Sequence, residues 1–101
     1  MRFKEVSMSI VRVNEFTAAV GKSAELFDFL QTLVPYITGA AGCIACELLK
    51  HHKHSDQFMI IERWNSIEDH QLAITNYPQE DMQAAMSLFG APPKGNYFQQ
   101  D

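Results

Sequence analysis

Glu62, Trp64 and His70 lie within nine positions of one another and have the chemistry to accept a proton or seat an aromatic ring. A neutral imidazole is the side chain poised to take a proton near pH 7, so His70 is the first candidate for a proton acceptor. Glu62 is the alternative base if burial raises its pKa, and otherwise a charge partner for Arg12 or Arg63. The residues alone do not choose between them. Trp64, the one tryptophan of the chain, offers a flat apolar surface and a single N–H donor, and reads equally well as core packing. Met82, Met86 and Phe89 share one side of a helical stretch, where flexible thioethers either fill a core or line an adaptable pocket.

Two other groupings carry chemistry in different settings. Cys43 and Cys46 have Cys-x-x-Cys spacing, but Gly42-Cys43-Ile44-Ala45-Cys46-Glu47-Leu48-Leu49 reads as a strand. Three strand steps set the two Cα atoms roughly 10 Å apart with side chains on opposite faces, beyond the roughly 7 Å that a disulfide tolerates. Two reduced, packed thiols are expected. His51, His52 and His54 sit with Lys53 and Asp56 in a polar connection that lacks anchored partner ligands, and they read as a solvated turn. No metal site is expected.

The elements that must position these groups follow from periodicity and punctuation. Val6 to Phe16 is rich in β-branched and long apolar residues and forms a first strand. After Gly21, the apolar residues Leu26, Phe27, Leu30, Leu33, Val34 and Ile37 recur at helical spacing, with Ser23 as N-cap and Glu25 in the first turn. Pro35 falls in the last turns, where its missing N–H kinks or ends the ladder. Strands over Cys43 to Lys50 and Gln57 to Trp64 make a hairpin. Ser66-Ile67-Glu68-Asp69 has the capping-box form and opens a short helix to about Asn76, and Pro78 starts another that Gly90 stops. Asn96 to Gln100 is a closing strand. The order is β-α-β-β-α-β with a split second helix, an α+β ferredoxin-like arrangement.

Strand faces add an expectation about assembly. Phe58, Ile60, Glu62 and Trp64 share one face of the third strand, and Met59, Ile61 and Arg63 share the other. On the first strand Val6, Met8 and Ile10 oppose Val11 and Val13, so neither face is cleanly polar, whereas a sheet with one wet face alternates. Helices cover one side only, and a second copy of the chain covering the other is the simplest closed solution.

Composition limits the remainder. A chain of 101 residues is one domain, spanning residues 1–101, because compact domains most often run roughly 100 to 150 residues. A formal net charge of -4 argues against nucleic acid as a partner. No apolar run approaches the roughly 20 residues of a bilayer span, and the opening residues lack a signal-peptide pattern, so no membrane association and a cytoplasmic location are expected.

With this order in place, Gly21 at the helix entrance, Pro35 late in that helix, Gly42-Cys43 opening the second strand and Phe58-Met59-Ile60-Ile61-Glu62-Arg63-Trp64-Asn65-Ser66 together resemble the antibiotic biosynthesis monooxygenase family over roughly residues 6 to 90. Two positions depart from that family's pattern. Many members carry His nine residues after the Trp, where this chain has Ala73, with His70 one helical turn earlier. The acidic residue that often precedes Gly-Cys is replaced by Ala41.

The resemblance implies a dimeric α/β barrel with a substrate cavity inside each monomer, between sheet and helices. It also implies cofactor-independent oxidation of a quinol, anthrone or related electron-rich aromatic by O2. With no cofactor the substrate is the reductant, and the protein must favour a phenolate or enolate. A phenol titrates near about 10 in water, and one neutral donor aimed at the developing anion contributes roughly 3 to 4 kcal/mol. Asn14 and the Trp64 N–H are the donors nominated, His70 is the nominated base, and Glu62, Met82 and Met86 are the substrate contacts. Asn14 resembles the cavity Asn of the haem-degrading branch, although taken alone it is a strand-end or turn residue. Haem binding or degradation is therefore one alternative, although the His which that branch carries ten residues after its Trp is here Ile74. A non-enzymatic dimeric protein that binds a small ligand is the other.

Overall fold

A computed structural model describes residues 9–99 of the chain. Its elements are β1 (Ile10–Thr17), α1 (Ser23–Thr38), β2 (Cys43–Lys50), β3 (Gln57–Trp64), α2 (Ile67–Asn76), α3 (Gln79–Ala85), a 3-10 turn over Met86–Leu88, and β4 (Lys94–Gln99). The four strands form one antiparallel sheet in the order β2-β3-β1-β4. The ferredoxin-like α+β fold read from the sequence is the fold observed, with the second helix split as expected. Val6, Met8 and Gln100, assigned above to strands, lie outside the described residues.

β3 shows how pattern becomes packing. Its burial alternates residue by residue, with Phe58, Ile60, Glu62 and Trp64 buried toward the helices and their neighbours half-exposed behind. Leu26, Leu30 and Leu33 of α1, at helical spacing, meet Phe58, Ile60 and Ala18 to make the core. Each buried Leu, Ile or Phe of this row contributes about 1.5–3 kcal/mol, which makes the row the anchor of the helical layer.

Three local expectations are corrected. The N-cap position of α1 is Lys22, not Ser23, and no side chain caps it; the Leu26 N–H bonds the Lys22 carbonyl instead. Pro35 does not end the ladder, because α1 runs on to Thr38 and the Pro35 carbonyl accepts from Gly39 N at 3.0 Å. At the start of β2 a bulge interrupts the register, so Cys43 stands opposite Trp64 and Cys46 opposite Glu62. Paired residues share a face, and both cysteines therefore turn toward the helices rather than to opposite sides. They are unpaired thiols, and burial pushes Cys46 up to about 12.

α2 begins as the capping pattern predicts, with the Asp69 N–H donating to Ser66 Oγ at 3.1 Å. That turn is seated against Gly42, whose φ of +88° opens β2 and whose position a Cβ would share with the Asp69 side chain. Glycine at 42 thus lets α2 dock close to the β3 end that carries Trp64. His70 and Ala73, one turn apart, are the buried residues of α2 and face the sheet.

Candidate active site

The helix-facing side of β1, β3 and β4 carries a row of polar groups set by the strand register. Arg12 pairs with Glu62 on one side and Tyr97 on the other, and Asn14 pairs with Ile60 and Gly95. Cross-strand neighbours lie about 4.5–5.5 Å apart at Cβ, so these side chains must share their hydrogen bonds. Glu62 is the hub. Its Oε2 accepts from Asn14 Nδ2 at 2.7 Å, its Oε1 accepts from Trp64 Nε1 at 2.8 Å, and the residue is 4% exposed.

The remaining atoms of the row have defined partners as well. Asn14 Nδ2 also donates to the Ile60 carbonyl at 3.3 Å, and its Oδ1 accepts from Arg12 Nε at 3.0 Å. Because a guanidinium only donates, this last bond fixes which end of the Asn14 amide faces Glu62. Arg12 Cζ lies 4.6 Å from the centroid of the Tyr97 ring, and a Cβ at Gly95 would run into the guanidinium. The missing side chain on β4 is what gives Arg12 its place. Arg63, the other cation considered for Glu62, is on the reverse face and donates to Ser9 Oγ at 2.9 Å.

His70 completes the group from above. Its Nδ1 is 2.5 Å from the Tyr97 hydroxyl, its ring is edge-on to Trp64 with centroids 5.5 Å apart, and its Nε2 is 3.8 Å from Glu62 Oε1. Burial, with Arg12 adding to it, pulls His70 down to about 4, so the imidazole is neutral at pH 7 and its approach to Glu62 is not an ion pair. Burial pushes Glu62 the opposite way, above the ordinary carboxylate range, while the bonds from Trp64 and Asn14 and the Arg12 charge hold part of that rise back. A neutral imidazole beside a carboxylate poised to take a proton is an acid–base pair suited to deprotonating a weak acid.

Asn14, Glu62, Trp64 and His70 line one part of a half-open cavity of about 340 Å³ bounded by the sheet, α1, α2, α3 and the following loop. Phe16, Phe29, Leu33, Ile37, Ile60 and Phe89 supply apolar wall, and Tyr36 and Tyr77 pack edge to face at 5.1 Å across its upper side. Tyr36 also donates to the Ala73 carbonyl at 2.7 Å and ties α1 to α2. Ala73, where a longer side chain would enter this space, is part of the wall.

Comparison with known proteins is decisive about kinship. The sequence profile of antibiotic biosynthesis monooxygenases matches residues 9–85. The chain belongs to the antibiotic biosynthesis monooxygenase family. No curated protein matches it. Among solved structures it is similar to the PA3566 protein of Pseudomonas aeruginosa, with a TM-score of 0.85 and 21% identity over 94% of this chain and 96% of the other. It is also similar to SnoaB, a cofactor-independent oxygenase from Streptomyces nogalater, with a TM-score of 0.79 and 18% identity over 93% of this chain and 94% of the other. A conserved protein from Methanosarcina mazei gives a TM-score of 0.84 at 13% identity over 96% of this chain and 97% of the other.

Within this member of the antibiotic biosynthesis monooxygenase family, Asn14, Glu62, Trp64 and His70 come together at one end of the cavity, and Met82 stands at its wall. Met86 does not join them; it lies in the 3-10 turn and is 61% exposed. The two donors nominated for substrate, the Asn14 amide and the Trp64 N–H, are both directed at Glu62 rather than into open space. Tyr97 and Arg12, not assigned to the site from the sequence, stand behind the cavity wall, where the β1–β4 register stacks them on one another and sets the Tyr97 hydroxyl against His70. The hairpin histidines stay apart from the site: His51 Nδ1 accepts from the Lys53 and His54 amides at 3.0 and 3.1 Å, and no cluster of three potential ligands occurs among the described residues. No helix of the described residues is long and apolar enough to cross a membrane.

Proposed function

We propose that this chain is a cofactor-independent monooxygenase that oxidises a small, electron-rich aromatic of the quinol or anthrone class with O2. The observation that carries the reading is an apolar cavity whose acid–base groups, Glu62 and His70, are gathered at one end. A phenolic or enolic substrate seated with its ring against Phe16, Phe29 and Trp64 presents its oxygen to that end. Loss of the hydroxyl proton makes the ring an electron donor, and O2, itself apolar, partitions into the same space. The electrons that reduce O2 then come from the substrate, one oxygen atom entering its ring and the other leaving as water. Asn14 and Trp64 act here through Glu62, keeping its carboxylate ionised often enough to take the proton.

The reading includes a homodimer. Val11, Val13, Met59 and Ile61 lie on the face of the sheet opposite the helices, with Leu49 and Phe98 exposed on the same side. A second copy of the chain applied there covers these apolar side chains, which one helical layer leaves open and which Glu15, Glu47 and Arg63 flank on the same face. It also assigns the chain to the cytoplasm, whose reducing environment suits two unpaired thiols.

Oxygen uptake by metal-stripped protein supplied with reduced quinones and anthrones tests the activity. Consumption above the autoxidation rate is expected for at least one member of the panel, and none across the panel would remove the proposal. Haem titration is the control, since a Soret shift would move the reading to haem binding.

A further inference from the structure

We propose that Tyr97 sets the tautomer of His70, holding Nδ1 as an acceptor and Nε2 as an N–H donor, so that Glu62 rather than His70 takes the substrate proton. The inference rests on the reading of the front cavity as an active site and assigns the two acid–base groups within it. Its geometry is a chain across three elements: the Tyr97 hydroxyl on β4, His70 on α2 at 2.5 Å through Nδ1, and Glu62 Oε1 on β3 at 3.8 Å from Nε2.

A neutral imidazole carries one N–H, and the two possible arrangements are not equivalent here. If Nδ1 bore the hydrogen, the Tyr97 hydroxyl proton would be left without an acceptor among the described residues, and a bare Nε2 lone pair would face the Glu62 carboxylate. If Tyr97 donates to Nδ1, its proton is satisfied and Nε2–H points toward Glu62, where an N–H is attracted. Arg12, lying on the Tyr97 ring, holds that ring edge-on to the imidazole at a centroid separation of 5.2 Å. Arg12 also adds to the burial that keeps a second proton off His70.

The consequence for the reaction is a division of labour. With Nδ1 occupied and Nε2 already protonated, His70 has no free lone pair to accept a proton. Glu62 does, because a carboxylate accepts at about four positions and Asn14 and Trp64 fill two of them. The substrate O–H bond breaks, its proton forms an O–H bond with Glu62, and the electron pair stays on the substrate oxygen. His70 Nε2–H is then the donor available to that oxyanion. Tyr97 touches neither substrate nor Glu62 and is a positioning residue.

Nitrogen-15 NMR of protein labelled at histidine reads the tautomer without any turnover, with His70→Gln used to identify the His70 signals. A pyridine-like Nδ1 and a pyrrole-like Nε2 are expected for His70 at neutral pH. His51, whose Nδ1 accepts two backbone amides, serves as an internal reference for that pattern. Tyr97→Phe, which deletes only the hydroxyl, is expected to give a mixed tautomer and to lower kcat roughly tenfold with KM little changed. His70→Gln, which keeps an N–H near the Nε2 position, is expected to retain more activity than His70→Asn, while Glu62→Gln loses roughly 100-fold or more. A Nδ1–H tautomer in the native protein, or an unchanged tautomer in Tyr97→Phe, overturns the proposal. If Glu62→Gln stays active while both His70 variants fail, the assignment of the base is overturned. Absence of any oxygenase turnover would sink the proposed function yet leave the NMR result standing on its own.

Discussion

The indole Nε1 of Trp64 donates to Glu62 Oε1 at 2.8 Å, so the tryptophan on β3 serves the carboxylate two residues before it. Trp64→Phe keeps a flat ring in the core and deletes that donor. With one stabilising bond gone, the Glu62 pKa rises further, and the limb of the pH–rate profile that reports the base moves to higher pH. On the acid side of that limb, where the rate follows the ionised fraction, kcat/KM is expected to fall about tenfold for each unit by which the pKa rises, and to change little where Glu62 is fully ionised. The lost packing and hydrogen bond cost about 2 kcal/mol of stability. A pH–rate profile that stays in place in Trp64→Phe would show that the titrating group is not Glu62.

Asn14 bridges Arg12 and Glu62, and its removal leaves a donor and an acceptor unpaired at once. Asn14→Ala is expected to lower the unfolding free energy by about 1–3 kcal/mol, measured by urea denaturation. Because Asn14 and Trp64 act on the two oxygens of one carboxylate, Asn14→Ala and Trp64→Phe should couple by roughly 0.5–3 kcal/mol in a double-mutant cycle. Additivity of the two variants would mean that Glu62 does not link them.

The sequence was most informative where a period was long and uninterrupted. α1 followed from Leu26, Leu30 and Leu33, and the bounds of β2 and β3 were read as they are observed, since alternation and flanking turns agreed. Glu62, Trp64 and His70 were legible as chemistry because their residue types are costly to bury without a purpose. What the sequence could not show was the partner of each hydrogen bond. Asn14 and Trp64 were expected to face substrate, but cross-strand register brings the carboxylate of Glu62 between them, and register is a tertiary property. The single-residue bulge before Ala45 likewise reverses the facing of Cys43, and Gly42 just ahead of it reads equally well as the end of the preceding loop. Tyr97 was hidden for the same reason, because the β4 tail carries no alternation strong enough to fix its pairing.

Ile61 lies on the rear face of the sheet, opposite Val13 on one side and Glu47 on the other. In an isolated chain a lysine there keeps its ammonium in water, whereas in the proposed homodimer the same substitution would crowd two added charges among the apolar side chains of both copies. Ile61→Lys is therefore expected to halve the solution mass by light scattering while the circular dichroism spectrum is retained. An unchanged mass for the variant, or a native protein that already sedimented as a monomer, would refute the dimer.

His70 gives the clearest handle on pH. The residue is 4% exposed, and burial with the Arg12 charge lowers its pKa from 6.5 to about 4. The unfolded chain takes up the His70 proton as pH falls below 6.5, whereas the folded chain resists it until about 4, so the unfolded state is favoured progressively across that window. The neutral fold thus loses roughly 3 kcal/mol on acidification through this residue. Glu62 runs counter to it: its folded pKa is raised above 4.5, so its contribution is present below that value and is lost as pH rises through the folded one. The two cannot be separated in the native protein alone, but the stability of native protein minus that of His70→Gln isolates the imidazole. That difference, from urea denaturation at a series of pH values, is expected to decline steadily between about pH 6.5 and pH 4 and to level off above and below. Parallel curves for the two proteins would place His70 in an environment no different from water and would dissolve the neutral His70 on which the proton transfer to Glu62 depends.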